Sequence, residues 1–209
     1  MPSAPSDAAL LHAWRAGDRD AGRELVDRHY PAIARFFTNK VGDEAGDLVH
    51  RTFLACVESK APFRGDASVR TYLFAIARSE LYAHYRRRHT EAPRFDEVSV
   101  VELADADASP SRAVAESEEQ RLLLEALRRI PLAAQILLEL FYWEELTTRE
   151  IAEILELPHG TVRSRVRAAR HQLEAELGAL ARAPTLLAST LDNLDRWLAS
   201  MRAHLGDPS

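Results

Sequence analysis

Hydrophobic positions recur at helical spacing through nearly the whole chain. Strict apolar–polar alternation is confined to Val98 to Val101. Ser6 can cap a first helix that ends at Gly17. Asp18 can cap a second running toward Tyr30, where Pro31 predicts a kink or restart, and a third stretch ends near Gly42. From Glu44 to Lys60, Val49, Phe53 and Val57 fall every fourth position and mark the core side of an amphipathic helix. Pro62 and Gly65 punctuate a loop, after which Ser68 can cap a long helix to about His89, with Leu73, Ile76, Ala77 and Leu81 inward. Residues 90–115 carry Pro93, Pro110 and many Ala, Asp and Ser with little periodicity, the pattern of a linker. A second helical unit starts near Glu116, with Leu123, Leu127 and Ile130 on one face. Pro131 then opens a helix through Leu137, Leu138, Phe141 and Tyr142. The pattern predicts an all-α protein: a bundle over 7–89, a linker over 90–115, a second helical domain over 116–182 and a C-terminal amphipathic helix over 183–209.

The sharpest local signal follows. Thr147 with Glu150 three residues later fits a capping box, and Ile151, Ala152 and Leu155 give the next helix its inward face. Leu157-Pro158-His159-Gly160 breaks that helix. Val162, Val166, Ala169 and Leu173 then share one face of a second helix, and Arg163, Arg167 and Arg170 share another. No acid occurs from Pro158 through Leu173. One face can pack while the other offers guanidinium groups to phosphates and guanine edges, as a helix-turn-helix requires of its recognition helix. The arginines by themselves also fit a solvated basic helix. Glu156 occupies the turn, where such motifs often place glycine.

In the first bundle, basic and aromatic residues alternate. Tyr72, Phe74, Tyr82 and Tyr85 accompany Arg70, Arg78 and Arg86 to Arg88. Helical spacing puts Arg78, Tyr82 and Tyr85 near one face, with Arg86 and Arg88 flanking. Aromatic rings stack on unpaired bases and arginines hold the strand, so the face suits single-stranded or melting DNA. Packing of Phe74 and some tyrosines in the core, with Arg86 to Arg88 a solvated helix end, also fits. On the preceding helix Asp47, His50, Arg51 and Leu54 share a side opposite Val49 and Phe53, either a solvated polar face or a protein-docking one.

Net charge alters the picture. The chain of 209 residues carries −5 overall, which argues mildly against nucleic-acid binding. From Glu91 to Gln120, however, nine acids face only Arg94 and Arg112, a net of −7 that leaves +2 for the rest. Basic surfaces separated by an acidic segment are thus compatible with the total. No apolar run reaches the ~18 residues of a membrane span. Met1 to Asp7 lacks the basic start and apolar stretch of a secretory signal, and the expectation is a soluble cytoplasmic protein.

The single cysteine, Cys56, excludes an internal disulfide and a multi-cysteine zinc site, and its setting beside Val57 suggests packing. His84 and His89 lie about 140° apart on a helix, a poor metal pair. His12, His29, His159 and His171 read as surface or capping residues. Phosphate-binding glycine loops, zinc-binding His-Glu-x-x-His and nucleophile elbows are all missing, so no metal, cofactor or catalysis is expected.

Four stretches in order resemble the extracytoplasmic-function (ECF) group of bacterial RNA polymerase sigma factors. They are Ala16 to Ala21 (AGDRDA), Asp47 to Leu54 (DLVHRTFL), Phe63 to Gly65 with Arg70 to Arg78 (FRG, RTYLFAIAR), and Gly160 to Arg165 (GTVRSR) with Ala169-Arg170. The resemblance spans about residues 7–180. It implies a region-two domain, an acidic linker running through the polymerase interior near the RNA path, and a region-four domain. It implies docking on core RNA polymerase through Asp47, Leu48, His50, Arg51 and Leu54. Where family members usually carry Gln-Glu, this chain has His50-Arg51. Phe63, Arg70, Tyr72, Arg78, Ser79, Tyr82 and Arg86 are implied to read and open the minus-ten element. Tyr72 stands for a usual Trp and Ser79 for a common Asn. Thr161, Arg163, Ser164, Arg167 and Arg170 are implied to contact the minus-thirty-five duplex, and Leu137, Leu138 and Tyr142 to lie near the polymerase flap. Promoter DNA and an anti-sigma protein are the further partners implied.

Beyond Pro184 the chain continues past the usual end of short family members. Leu187, Leu191, Leu194, Leu198, Met201 and Leu205 form an a/d-type stripe beside Trp197. The tail either packs on its own second domain or regulates by binding elsewhere. Two other functions remain open at this level: a helix-turn-helix regulator that needs no polymerase, and a pure protein-interaction module.

Overall fold

The computed structural model describes residues 4–59, 68–88 and 118–180, together with Ala188 and Leu194. Phe63, His89, the linker at 90–115 with Val98 to Val101, and the tail stripe apart from Leu194 lie outside the described residues. Among the described residues there are eight α-helices and no strand: α1 (Asp7–Arg15), α2 (Arg19–Val41), α3 (Ala45–Glu58), α4 (Val69–Arg88), α5 (Glu118–Arg129), α6 (Leu132–Leu138), α7 (Thr148–Leu155) and α8 (His159–Leu180). None is long and apolar enough to cross a membrane, and no group of three potential metal ligands occurs among the described residues.

The corner between α1 and α2 follows from a few residues. Ser6 accepts from Ala9 N at 3.3 Å and caps α1. Gly17 then turns the chain at φ +102°, a conformation L side chains rarely adopt. The Asp18 carboxylate caps α2 by accepting from Asp20 N at 3.0 Å and Ala21 N at 3.1 Å. A Cβ on Gly22 would stand 2.5 Å from the Trp14 ring, so glycine there permits α1 to lie close on α2. His29, expected at the surface, is buried, with Nε2 2.7 Å from Asp7 Oδ2 in the first turn of α1.

The predicted break at Pro31 does not occur. One helix of 23 residues runs through it. An internal proline costs ~3 kcal/mol or more. Leu25, Ile33 and Phe37, buried on both sides of it, each contribute roughly 1.5–3 kcal/mol by burial and outweigh that cost. In α3 the fully buried stripe is Leu48, Thr52 and Cys56, flanked by Val49 and Phe53, while Val57 is half-buried. The core side is thus rotated by about one residue from the predicted one. The Cys56 thiol is pushed up to about 11 by burial, against the opposing pull of Arg15, and so stays protonated and unreactive. Ser68 caps α4 by accepting from Thr71 N at 3.0 Å. Leu73, Phe74, Ala77 and Leu81 line its core side, and Ile76 is half-buried.

In the second unit, Leu123, Leu127 and Ile130 are buried as the pattern predicts. The helix opened by Pro131 does not continue regularly. After α6 it widens into a π turn, Glu139–Trp143, where Glu144 N donates to the carbonyl of Glu139 five residues back, at 3.1 Å. Thr147 and Glu150 form the full capping box. Ile151, Ala152 and Ile154 are buried and Leu155 is half-buried.

Glu156 ends α7 in the left-handed region, φ 55° and ψ 41°. That conformation costs a non-glycine residue roughly 1–2 kcal/mol. Glycine would give back about 0.4–1 kcal/mol of this through the greater freedom of the unfolded chain. Because the side chain is exposed, Glu156→Gly is expected to stabilise the protein by about 0.5–1 kcal/mol. A thermal melt displaced upward by about 2–4 °C per kcal/mol would show it.

The two units pack on each other: α4 lies against α7, and the π turn meets α2. Leu194 is buried and joins the hydrophobic core, whereas Ala188 is exposed.

Candidate nucleic-acid interface

Helix α8 separates its faces as the sequence requires. Val162, Val166, Ala169 and Leu173 are buried, while Arg163, Ser164 and Arg167 are exposed. Among the described residues neither Arg163 nor Arg167 is engaged in an ion pair, so both guanidinium groups are available to an anion. Ser164 Oγ donates to the carbonyl of Thr161 one turn back, at 2.8 Å. Thr161 and Arg170 are half-buried, and Arg170 is paired with Glu174 at 2.9 Å, the first acid beyond the basic run. His159 Nε2 lies 3.3 Å from Thr148 Oγ1, tying the start of α8 to the start of α7. The result is a firmly held helix with a cationic outer edge.

Helix α4 divides its aromatic residues between two roles. Phe74 is fully buried, edge-on to Phe36 at 5.8 Å. Tyr85 is also buried and donates its hydroxyl to the carbonyl of Lys40 at 2.9 Å. Burial pushes that phenol up to about 12 and keeps it a donor. These two are core residues. Tyr72 and Tyr82 are half-buried with accessible rings. Arg15 lies near the Tyr72 ring, 6.0 Å from its centroid, and Arg78 sits 5.1 Å from the Tyr82 centroid. Ser79 and Arg86 are exposed. The structure therefore brings Arg78, Ser79, Tyr82 and Arg86 to one accessible side of α4. Arg70 is engaged instead with Glu144 of the second unit.

On α3, Asp47, His50, Arg51 and Leu54 are exposed together, and Leu54 is one of the two large hydrophobic residues exposed among the described residues. Leu48, grouped with them in the sequence reading, is 1% exposed. It belongs to the core because 48, 52 and 56 form the buried stripe, and it offers no surface to a partner.

A feature that sequence reasoning missed joins the two units. Glu139 and Glu144, at either end of the π turn, are both buried against cations of the first unit. Lys40, itself buried, pairs with Glu139, and Asn39 Nδ2 donates to the same carboxylate at 3.2 Å. Arg35 Nε donates to Glu144 Oε1 at 2.9 Å, and Arg70 pairs with the other oxygen of Glu144. Burial pulls the Lys40 ammonium down and pushes the Glu139 carboxyl up, each opposed by the partner's charge. A signal for this was present in the sequence: Glu139 interrupts an apolar run from Ile136 to Trp143. A groove of about 220 Å³ also runs between α4 and the second unit. Arg78 and Tyr82 line one wall and Leu137, Leu155, Arg165 and Ala168 the other.

Comparisons with known proteins match this geometry. The family model "Sigma-70 region 2" covers residues 25–91, from within α2 to just beyond α4, and "Sigma-70, region 4" covers residues 120–173, which include the helix-turn-helix. The ECF RNA polymerase sigma factor SigM of Mycobacterium tuberculosis is 31% identical over 84% of this chain and 86% of its own length. This chain belongs to the ECF RNA polymerase sigma factors. The ECF RNA polymerase sigma-E factor of Haemophilus influenzae is 29% identical over 84% of this sigma factor and 97% of its own length. Among solved structures, CnrH in complex with the cytosolic domain of CnrY shares the fold, with a TM-score of 0.59 and 22% identity over 85% of this chain and 100% of that one. As a sigma factor the protein associates with RNA polymerase and directs promoter-specific transcription initiation.

Proposed function

We propose that the two units of this sigma factor divide the promoter between them. The outer edge of α8, with Thr161, Arg163, Ser164, Arg167 and Arg170, reads the minus-thirty-five duplex. Arginine forks meet guanine edges and phosphates there, and Arg170 exchanges Glu174 for the DNA. The face of α4, with Tyr72, Arg78, Ser79, Tyr82 and Arg86, holds the strand exposed at the minus-ten element, joined by Arg70 and by Phe63 of the preceding loop. Asp47, His50, Arg51 and Leu54 of α3 dock on core polymerase. His50-Arg51 gives that contact a charge opposite to the usual family one.

The observation that carries this reading is the pairing of two different surfaces in one chain. One is a packed helix edge whose Arg163 and Arg167 enter no ion pair among the described residues, and the other a helix side where an arginine covers an accessible tyrosine ring. Duplex readers need the first, while stacking on separated bases needs the second. Opening a base pair costs a few kcal/mol, which a small subunit meets through several contacts and the polymerase together. The protein works in the cytoplasm as a binding subunit and contributes no catalytic group. Its solved relative CnrH is bound by the cytosolic domain of CnrY, which supports a protein inhibitor as a further partner here.

Reconstitution with core polymerase on a promoter library, followed by start-site mapping, tests the reading. New starts sharing spaced minus-thirty-five and minus-ten elements are expected. Duplex binding without any polymerase-dependent start would point instead to an ordinary helix-turn-helix regulator.

A further inference from the structure

We propose that Arg15 is a positioning residue for the minus-ten face. It sets the Tyr72 hydroxyl as a hydrogen-bond donor toward an acceptor on the exposed strand, a base carbonyl or a phosphate oxygen. Arg15 thereby adds a residue of α1 to the single-strand face of α4, and its role rests on that reading of α4.

The end of α1 is held where it can do this. Helix α1 packs on α3 and α4 as well as on α2. Gly17 turns the chain at φ +102°, and Trp14 lies so close to Gly22 that a Cβ there would stand 2.5 Å from its ring. Arg15, between these two fixed points, is the last residue of α1 and reaches the C-terminal end of α3. Its Nη2 and Nε donate to the Cys56 carbonyl at 2.8 and 3.3 Å. That carbonyl belongs to the last turn of α3, where a helix leaves acceptors open and carries roughly half a negative charge. Two donors on one oxygen of a fully buried residue leave the guanidinium little freedom to turn.

The same guanidinium meets Tyr72. Nη2 stands 3.5 Å from the phenol oxygen, whereas the guanidinium carbon is 6.0 Å from the ring centroid. The contact is therefore with the hydroxyl end of the ring, and attraction to the ring face is at its outer limit. At 3.5 Å the hydrogen bond is long and adds little energy. Its direction is nevertheless fixed, because a guanidinium has five donors and no acceptor. The phenol oxygen can only accept from Arg15, so its own proton turns to the opposite side. A tyrosine without such a neighbour offers donor or acceptor alike.

Tyr72, Ser79 and Arg86, spaced seven residues apart, follow one line along α4. Ser79 and Arg86 are exposed, and Tyr72 is half-buried at the end of the line nearest α1. A strand lying along that line meets the Tyr72 hydroxyl with acceptors, since phosphate oxygens and base carbonyls all accept. A donor already held in its direction loses little freedom when the strand arrives.

Binding of fluorescent oligo-dT to the full chain tests the pair. Tyr72→Phe and Arg15→Gln should each weaken it by about three- to tenfold, the worth of one hydrogen bond. The double variant should be no weaker than either, since both changes remove the same interaction. Tyr72→Trp supplies a donor that needs no orienting, because an indole N–H cannot accept. In that background Arg15→Gln should leave oligo-dT affinity unchanged. It should still lower the melting temperature as much as in the parent, through loss of the Cys56 contact. Arg15→Lys keeps a cation at the end of α3 but not the fork, and serves if Arg15→Gln does not fold. It should show the same loss beside Tyr72 and none beside Tyr72→Trp.

Additive losses in the double variant, or a loss from Arg15→Gln that persists beside Tyr72→Trp, reduce Arg15 to a stabilising contact and overturn the proposal. Full affinity in Tyr72→Phe or Arg15→Gln, with Tyr82→Ala weakened, also overturns it and leaves the single-strand reading of α4 standing. If Tyr82→Ala keeps full affinity as well, that reading falls and the proposal with it.

Discussion

Replacing Arg163 and Arg167 together by alanine is expected to remove recognition of the promoter duplex while leaving the fold intact. Both side chains are exposed on α8, and among the described residues neither takes part in an ion pair. Their loss should therefore change stability by no more than about 0.5 kcal/mol. Each guanidinium bound to a base edge contributes roughly 1–3 kcal/mol, so the pair accounts for about 2–6 kcal/mol of duplex binding. Removing an arginine that neutralises a phosphate also lowers the slope of log affinity against log salt by about one. Anisotropy titrations of a promoter duplex over a salt series, with a parallel thermal melt, separate the two effects. Unchanged affinity with an unchanged salt slope would remove α8 from the interface.

A second large effect is expected in the first unit, where two aromatic residues of one helix should respond in opposite ways. Phe74 is fully buried and packs edge-on to Phe36. Phe74→Ala should destabilise the protein by about 3–5 kcal/mol, through the apolar burial it gives up and the cavity it leaves behind. Such a loss is a large share of the ~5–15 kcal/mol that holds a typical domain together. Tyr82 is half-buried beside Arg78. Tyr82→Ala should leave the denaturation midpoint nearly in place but weaken single-strand binding by roughly the 1–3 kcal/mol of one stacked base. Urea denaturation and oligo-dT binding on the two variants make the comparison. A Phe74→Ala protein as stable as the parent, or a Tyr82→Ala protein with full oligonucleotide affinity, contradicts the division of roles along α4.

Much of this division was legible before any tertiary structure. Capping residues Ser6, Asp18, Ser68 and Thr147 mark four helix starts, because a short polar side chain before an apolar period satisfies amides that the helix leaves open. The faces of α8 followed directly from period and charge. Three things were not legible. Pro31 signals a break by its local chemistry, yet burial on both sides of it carries the helix through. Leu48 lies next to the exposed Asp47 in sequence, and a rotation of the buried stripe by one position decides that it packs inward. Tyr82 and Tyr85 share a face by helical spacing. Only the tertiary contacts separate them, burying Tyr85 against the Lys40 carbonyl and leaving Tyr82 half-buried.

The sequence by itself determined the helical class, the positions of the helix-turn-helix and the basic faces, and the family, because each depends on residues close together in the chain. The tertiary structure decided which charges neutralise one another. Lys40 and Glu139 are 99 positions apart, and Arg35 and Glu144 are 109 apart. No local pattern couples such distant residues, since their pairing depends on a π turn and on how two separately patterned units come to rest against each other.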